Sequence, residues 1–399
     1  MMNIHQPFIG KKTPEEYVLE ENLKRLKNAT ISQRIRQRVR RKMVRLLVIL
    51  AHCIFKNAPI KEKIKPTQLQ RVLVLRWDLI GDMVLTTPVF NFLKSLQPSI
   101  EIDVLASKKN VGVIKGDTRI SRIFILEKNI SFLKTIWQMR RRNYNLVLSF
   151  IEIKPMADGL LSNLLAPKAL KASAKRKARY RPFFNVCSSA GVSQAHAVDK
   201  FLAVPLAAIE AQPFEPKLSL FISESAKQSA KDFIYEKRLW QFILVNISAG
   251  SAYRQWGTSN YIEFLKTVSE QNPSLQFVIL SDPNNVEPAR QICAAVKSER
   301  IVVFPPQDDI QVISALIGES LCVFSPDTSI VHIASAMGRP VIALYTIMGT
   351  VPSEWLPYRV PYRAVLADGR VPISSIPVAS VVEAFNDLIN ELLDCNRCA

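Results

Sequence analysis

Glycine is scarce in this chain, 12 residues in 399 where about 7% is usual, so each glycine is informative. Cysteine is sparse as well. Cys53, Cys187, Cys293, Cys322, Cys395 and Cys398 are scattered without the dense spacing of a disulfide framework, and no cleavable signal peptide opens the sequence. A reducing cytoplasm is therefore the expected compartment. Cys395 and Cys398 have redox or zinc spacing, but with no second pair and no nearby His they read as an inert tail. The apolar run LLVILAHCIF (46 to 55) is far shorter than the roughly 20 residues a membrane-spanning helix requires.

Negative charge is also in short supply: 34 Asp and Glu stand against 53 Lys and Arg, a formal net charge of +19. Such a field attracts anionic partners, whether nucleic acid, phosphorylated glycolipid or membrane surface. No recognisable nucleic-acid motif accompanies it, and the basic residues gather in an extension and one loop, so nucleic acid is not the expected partner. Up to Pro66 there are 16 basic and 5 acidic residues, concentrated in ISQRIRQRVRRKMVR. This segment either lies on an anionic membrane, apolar face down, or packs on the body of the protein with a solvated basic face. A second basic concentration is KALKASAKRKARYRPF (168 to 183).

With 48% hydrophobic residues over 399 positions, the chain can fill two cores. From Gln70 short apolar runs alternate with helix-patterned stretches, the signature of parallel sheets flanked by helices. RVLVLR (71 to 76), IEIDVLA (100 to 106), RIFIL (122 to 126) and NLVLSF (145 to 150) form one strand series. FILVNI (242 to 247), FVILS (277 to 281), RIVVF (300 to 304), LCVF (321 to 324) and VIALY (341 to 345) form another. Two doubly wound α/β domains follow. The expected divisions are a basic extension over 1–66, a first domain over 67–215, a second over 216–379 and a C-terminal helix and tail over 380–399, with the Pro-rich 210–223 as linker.

Three segments carry candidate chemistry. RWDLIGDMVLTTP (76 to 88) follows the first strand, where a doubly wound sheet binds its ligands. Gly81 puts Asp82 at or near a helix start, where the dipole favours a carboxylate able to accept a proton. Alternatively Pro88 is the first helical residue with Thr87 as cap, and Asp82 stays in the loop. Asp82 could equally be no more than a helix cap. NISAGSAYRQW (246 to 256) opens the second domain. Its small residues Ser248 to Ser251, Gly250 among them, leave backbone N–H groups accessible to phosphate, and Arg254 adds a fork of donors. The spacing matches neither a P-loop nor a G-x-G-x-x-G fingerprint, and Trp256 is expected to pack rather than stack on substrate. In FSPDTSIVHIASAMGRP (324 to 340), Asp327 or Thr328 caps a helix that Gly338 and Pro340 end, an N-terminus suited to pyrophosphate. His332 lies about one turn on, either bonding into the site or structural.

In order and separation these three segments resemble the motifs of the ADP-heptose:lipopolysaccharide heptosyltransferases, the inverting glycosyltransferase family 9. The resemblance covers residues 70 to 395 and leaves the basic extension outside. It implies a GT-B fold of two facing Rossmann-like domains, acceptor on the first and nucleotide sugar on the second, closing to exclude water. The implied donor is ADP-heptose, the acceptor a lipopolysaccharide inner core, and no catalytic metal or other cofactor is expected. Asp82 matches the family's general base, and Asp327, Thr328 and His332 its Asp-Thr-Gly-x-x-His donor motif, with Ser329 where the family has Gly. Arg254 falls where the family often has Lys, and Glu287 near its acidic nucleoside contact. Arg76, Thr86, Thr87, Lys108, Lys175 and Arg176 are candidates on the acceptor side. The enzyme would work in the cytoplasm, peripheral at the inner membrane. A transferase of another nucleotide sugar, or a degenerate member that binds glycolipid without turnover, are the alternatives.

Overall fold

A computed structural model describes residues 42–43, 55, 57–127, 129–174, 177–188, 195–348 and 352–397. All but Lys42 and Met43 of the basic stretch before Leu46 lies outside these, as do Lys175, Arg176 and Cys398. The chain divides into two compact units, the first reaching Ser229 and taking in Asp309–Ala315, the second formed by the remainder from Ala230 onward.

The first unit holds a six-stranded sheet made by β1 (Arg71–Leu75), β2 (Glu101–Ala106), β3 (Arg122–Ile125), β4 (Leu146–Ser149), β5 (Leu170–Ser173) and β6 (Val186–Cys187). Its order is β3-β2-β1-β4-β5-β6 and every pairing is parallel, with Leu73 opposite Asp103 on one side and Val147 on the other. Parallel strands covered on both faces read as unbroken apolar runs, and Val72 to Leu75 are all fully buried. The helices are α1 (Ile80–Leu96), α2 (Phe132–Arg140), α3 (Pro155–Leu165) and α4 (Ala197–Ala208).

The second unit repeats the plan with β7 (Phe242–Asn246), β8 (Gln276–Leu280), β9 (Ile301–Val303), β10 (Cys322–Pro326), β11 (Val341–Tyr345) and β12 (Tyr362–Leu366) in the order β12-β11-β10-β7-β8-β9. Read from its other edge this is the same 3-2-1-4-5-6 order, again parallel throughout. With it go α5 (Glu224–Glu236) and α8 (Ile310–Glu319), the first six residues of each counting with the first unit, and α6 (Thr258–Gln271), α7 (Val286–Val296), α9 (Ser329–Ala336) and α10 (Val378–Arg397). Trp256 is fully buried, edge-on to Tyr261, Phe264 and Phe324, and donates from its indole N–H to the Ile376 carbonyl at 3.1 Å, so it packs as expected. The C-terminal helix α10 belongs to this core, its Phe385 packed on Phe264 and Phe277.

Three short strands went unread in the sequence. In β5 the polar Lys171 is buried, its ammonium donating to the Ala169 and Pro167 carbonyls at 2.7 and 3.3 Å, and burial pulls its pKa down to about 8. The segment 210–223 has no helix or ladder strand of its own, yet it is pinned to the first unit. Phe214 packs edge-on to Phe92 at 5.4 Å, and Asn91 donates to the Lys217 carbonyl at 3.0 Å.

Candidate active site

In this strand order the crevice lies where the order reverses, between β1 and β4 and again between β7 and β10. A side chain from the end of the earlier strand spans each reversal.

In the first unit it is Arg76, one residue past β1. Its guanidinium is buried, donating to the Phe150 carbonyl beyond β4 at 2.9 Å, to Asp78 Oδ2 at 3.0 Å and to Thr86 Oγ1 at 2.8 Å. The Phe201 ring lies under it, 4.0 Å from centroid to Cζ. Asp82 Oδ1 is 4.0 Å from Arg76 Nη1.

Helix α1 begins at Ile80, so Asp82 is its third residue and Pro88 is inside it. The alternative start at Pro88 does not hold. Proline removes the N–H that would bond the Val84 carbonyl, and the Thr87 hydroxyl replaces it, donating to that carbonyl at 2.8 Å. The Thr86 hydroxyl donates to the Asp82 carbonyl at 2.7 Å. Both threonines are buried and their hydroxyls are committed within the unit, Thr87 also accepting from the Ser219 N–H at 3.2 Å. Lys108, just past β2, is exposed and 3.5 Å from Glu127.

Burial pushes the Asp82 pKa up to about 6 from an ordinary 3.8. Arg76 opposes the rise, Asp78 and Glu152 add to it as like charges, and a hydrogen bond from the Leu79 backbone N–H lowers it. That last bond is half of a capping box, the third helical residue reaching back to the cap. A carboxylate with a pKa near 6 is largely ionised at neutral pH and a better proton acceptor than an ordinary aspartate. Turnover is expected to fall as pH drops through about 6, with the slope of one proton. A pH–rate profile flat from pH 5 to 8 would exclude Asp82 as the titrating base.

In the second unit the reversal is spanned by Asn246, the last residue of β7. Its amide donates to Ser325 Oγ at 2.9 Å, Thr328 Oγ1 at 3.2 Å and the Ser248 carbonyl at 3.2 Å, while its Oδ1 accepts from the Ser248 N–H at 3.1 Å. Sequence reasoning missed this residue, although an amide closing a wholly apolar strand is a visible signal. Ser248 Oγ accepts from the Asp282 N–H at 2.7 Å, which fixes the loop to the end of β8. At Gly250 an added Cβ would meet nothing within 4 Å, so the backbone there is open.

Thr328 caps α9, its hydroxyl accepting from the Ile330 N–H at 3.3 Å. Gly338, at φ +69°, ends the helix in a Schellman arrangement, with the Arg339 N–H on the Ala334 carbonyl at 2.9 Å. Ser329 is the first helical residue and its φ is negative, so no glycine conformation is required there. Its hydroxyl stands at the positive end of the helix. His332 is buried on the same helix, its ring 6.0 Å from that of Trp355.

Arg254 donates to the Asp327 carbonyl at 3.0 Å and lies 3.3 Å from Asp327 Oδ2. Burial raises the Asp327 pKa and Arg254 offsets part of the rise. Arg254 Nε and Ser251 Oγ are buried with no hydrogen-bond partner among the described residues. Buried polar atoms are rarely left so, and both can donate to an anionic oxygen. Glu287 is exposed in the first turn of α7, just beyond β8. Structure thus gathers Ser248, Arg254, Asp327, Thr328 and Ser329 at one switch point and Arg76, Asp78 and Asp82 at the other.

Glycosyltransferase family 9 (heptosyltransferase) matches residues 133–372, more than half of the chain, a span that begins after the Asp82 segment. Lipopolysaccharide heptosyltransferase 3 of Escherichia coli (strain K12) is 21% identical over 343 residues, 78% of this chain and 96% of that protein. The lipopolysaccharide core heptosyltransferase OpsX of Haemophilus influenzae is 23% identical, over 68% of this chain and 78% of its own. Among solved structures, a family 9 glycosyl transferase from Veillonella parvula superposes with a TM-score of 0.71 at 17% identity, covering 83% of this chain and 99% of that one. The E. coli ADP-heptose lipopolysaccharide heptosyltransferase II gives 0.66 at 18% identity, with 82% and 100% covered. The fold is of the GT-B class, with two Rossmann-like units, and the chain is a glycosyltransferase that belongs to family 9, the heptosyltransferases.

Proposed function

We propose that this enzyme transfers a heptose from ADP-heptose to a lipopolysaccharide inner-core acceptor with inversion at the anomeric carbon. The observation that carries the reading is Asp82, a partly buried carboxylate, its side chain 12% exposed, with a pKa near 6 beside the end of β1. Asp82 takes the proton from the acceptor hydroxyl as its oxygen attacks the anomeric carbon. The bond from that carbon to the diphosphate breaks on the opposite face, and ADP leaves. Arg76 and Asp78 position Asp82.

Negative charge growing on the leaving diphosphate is met by Arg254, Ser251, the hydroxyls of Thr328 and Ser329 and the N–H groups at the start of α9. Those groups supply the stabilisation that a metal ion supplies elsewhere. Glu287 contacts the nucleoside, and Lys108, with Lys175 and Arg176, draws the phosphorylated acceptor. Relatives support the choice of donor: E. coli heptosyltransferase WaaC has been crystallised with ADP and with ADP-2-deoxy-2-fluoro heptose. We place the reaction at the cytoplasmic face of the inner membrane. Among the described residues no helix is long and apolar enough to cross a membrane.

The purified full chain is expected to bind ADP in calorimetric titrations with or without chelator. No detectable ADP binding would remove this donor assignment, and binding abolished by chelator would remove the metal-free part of it.

A further inference from the structure

Six of the ten large apolar side chains exposed among the described residues lie on or beside two adjoining helices of the first unit. Ile130, Leu133 and Trp137 recur at intervals of three and four, a single stripe along α2 and its entry. Leu160 and Leu164 form the matching stripe on α3, with Ile153 just before it. The inner faces of these helices are already buried together, Phe132 and Met139 with Leu165 in one cluster. Both helices therefore carry apolar side chains beyond the core face, with Leu133 62% and Trp137 57% exposed on α2, Leu160 37% and Leu164 38% on α3, and Ile130 85% and Ile153 74% just before them. Soluble monomers seldom leave such surface to water without a use.

Charge around the stripes identifies the occupant. From 129 to 168 there are six basic residues and two acids, and one of those acids, Asp158, is fully buried. Lys134, Arg140, Arg141 and Lys154 are exposed beside the apolar side chains, and the Arg141 guanidinium sits 4.4 Å from the Trp137 ring centroid. The cores of protein–protein interfaces are depleted of lysine, whereas tryptophan, aliphatic side chains and a basic fringe together suit the boundary between acyl chains and anionic head groups.

We propose that the outer face of α2 and α3 docks on an anionic phospholipid bilayer, with Trp137 and the leucines in the acyl boundary and the Lys and Arg side chains on head-group phosphates. The residues of this surface are not those of the basic N-terminal stretch. It adjoins the reaction site, because Ile153 follows Glu152, whose charge acts on Asp82. Resting on the proposed glycolipid acceptor, the further consequence is that docking holds the Asp82 edge of the sheet at the surface that displays that acceptor.

The test uses the full chain and vesicles of phosphatidylcholine with phosphatidylglycerol, some brominated in the acyl chains to quench nearby tryptophan. Wild type is expected to be quenched, Trp137→Phe to lose that quenched component, and Trp240→Phe to keep it. Leu133→Ser with Ile153→Ser should lower the partition coefficient by about tenfold or more, with melting little changed because these side chains are 62% and 74% exposed. Equal quenching of wild type and Trp137→Phe would overturn the proposal, as would absence of vesicle binding. Self-association in sedimentation that Leu133→Ser abolishes would also overturn it, assigning the face to a second copy. None of these readouts involves donor, acceptor or turnover, so failure here and failure of the proposed transfer are separately visible.

Discussion

Asp82→Asn is expected to lower turnover by about 10²- to 10⁴-fold, the usual contribution of a positioned general base, while ADP affinity stays near wild type. Stability should not fall with it. Raising the pKa from 3.8 to about 6 means that the folded state binds the Asp82 proton more tightly than the unfolded chain does. The resulting stabilisation is present below pH 3.8 and is lost as pH rises through 6. At neutral pH the ionised carboxylate therefore costs up to about 3 kcal/mol. Asparagine removes that cost, still accepts the Leu79 N–H, and leaves Arg76 its closer partner Asp78 at 3.0 Å. Melting at or slightly above wild type, with turnover lost, is the expected pair of results. A carboxylate that only caps α1 predicts a stable and active variant, because Asn caps about as well as Asp.

Arg254→Met is expected to reduce kcat/KM for the nucleotide sugar by about 10²- to 10³-fold, the scale for losing one preorganised donor to a developing anion. ADP titration should show the loss directly. The substitution also strands Asp327, which is 5% exposed and already resists ionisation, so a lower melting temperature accompanies it. Arg254→Lys separates the two effects. It keeps a charge near Asp327 but not the planar fork, so it should restore melting more fully than donor affinity. Unchanged ADP affinity in a folded Arg254→Met would confine Arg254 to holding Asp327.

The central strands were legible because parallel strands covered on both faces leave uninterrupted apolar runs such as VLVL and FILV. The strands that escaped are those where a charge interrupts the run or the strand is very short. In β5 it is Lys171, paired with carbonyls, in β12 it is Arg363 reaching Asp387 and Glu391 on α10, and β6 is two residues long. Pro88 left the start of α1 open on paper, since nothing in the sequence says that the neighbouring Thr87 hydroxyl will take the carbonyl that the proline leaves unpaired. Asp82, Arg254 and Thr328 stood out as single residues. Asn246 did not, because its importance lies in contacts to residues 79 and 82 positions away. Nor did the α2–α3 surface, since an apolar helix position does not reveal from sequence whether it faces the core or water.

The central claim, that Asp82 draws the proton for heptosyl transfer from an ADP-linked donor, is tested most directly by following ADP release and acceptor mass together. Wild type and Asp82→Asn would each be incubated with ADP-heptose and a lipopolysaccharide core isolated from a strain lacking this enzyme. The account predicts one heptose added per ADP released by wild type, and the same product from Asp82→Asn at a rate about 10²-fold lower or less. Transfer by Asp82→Asn within a few-fold of wild type, or no heptose added by wild type that binds ADP, would contradict it.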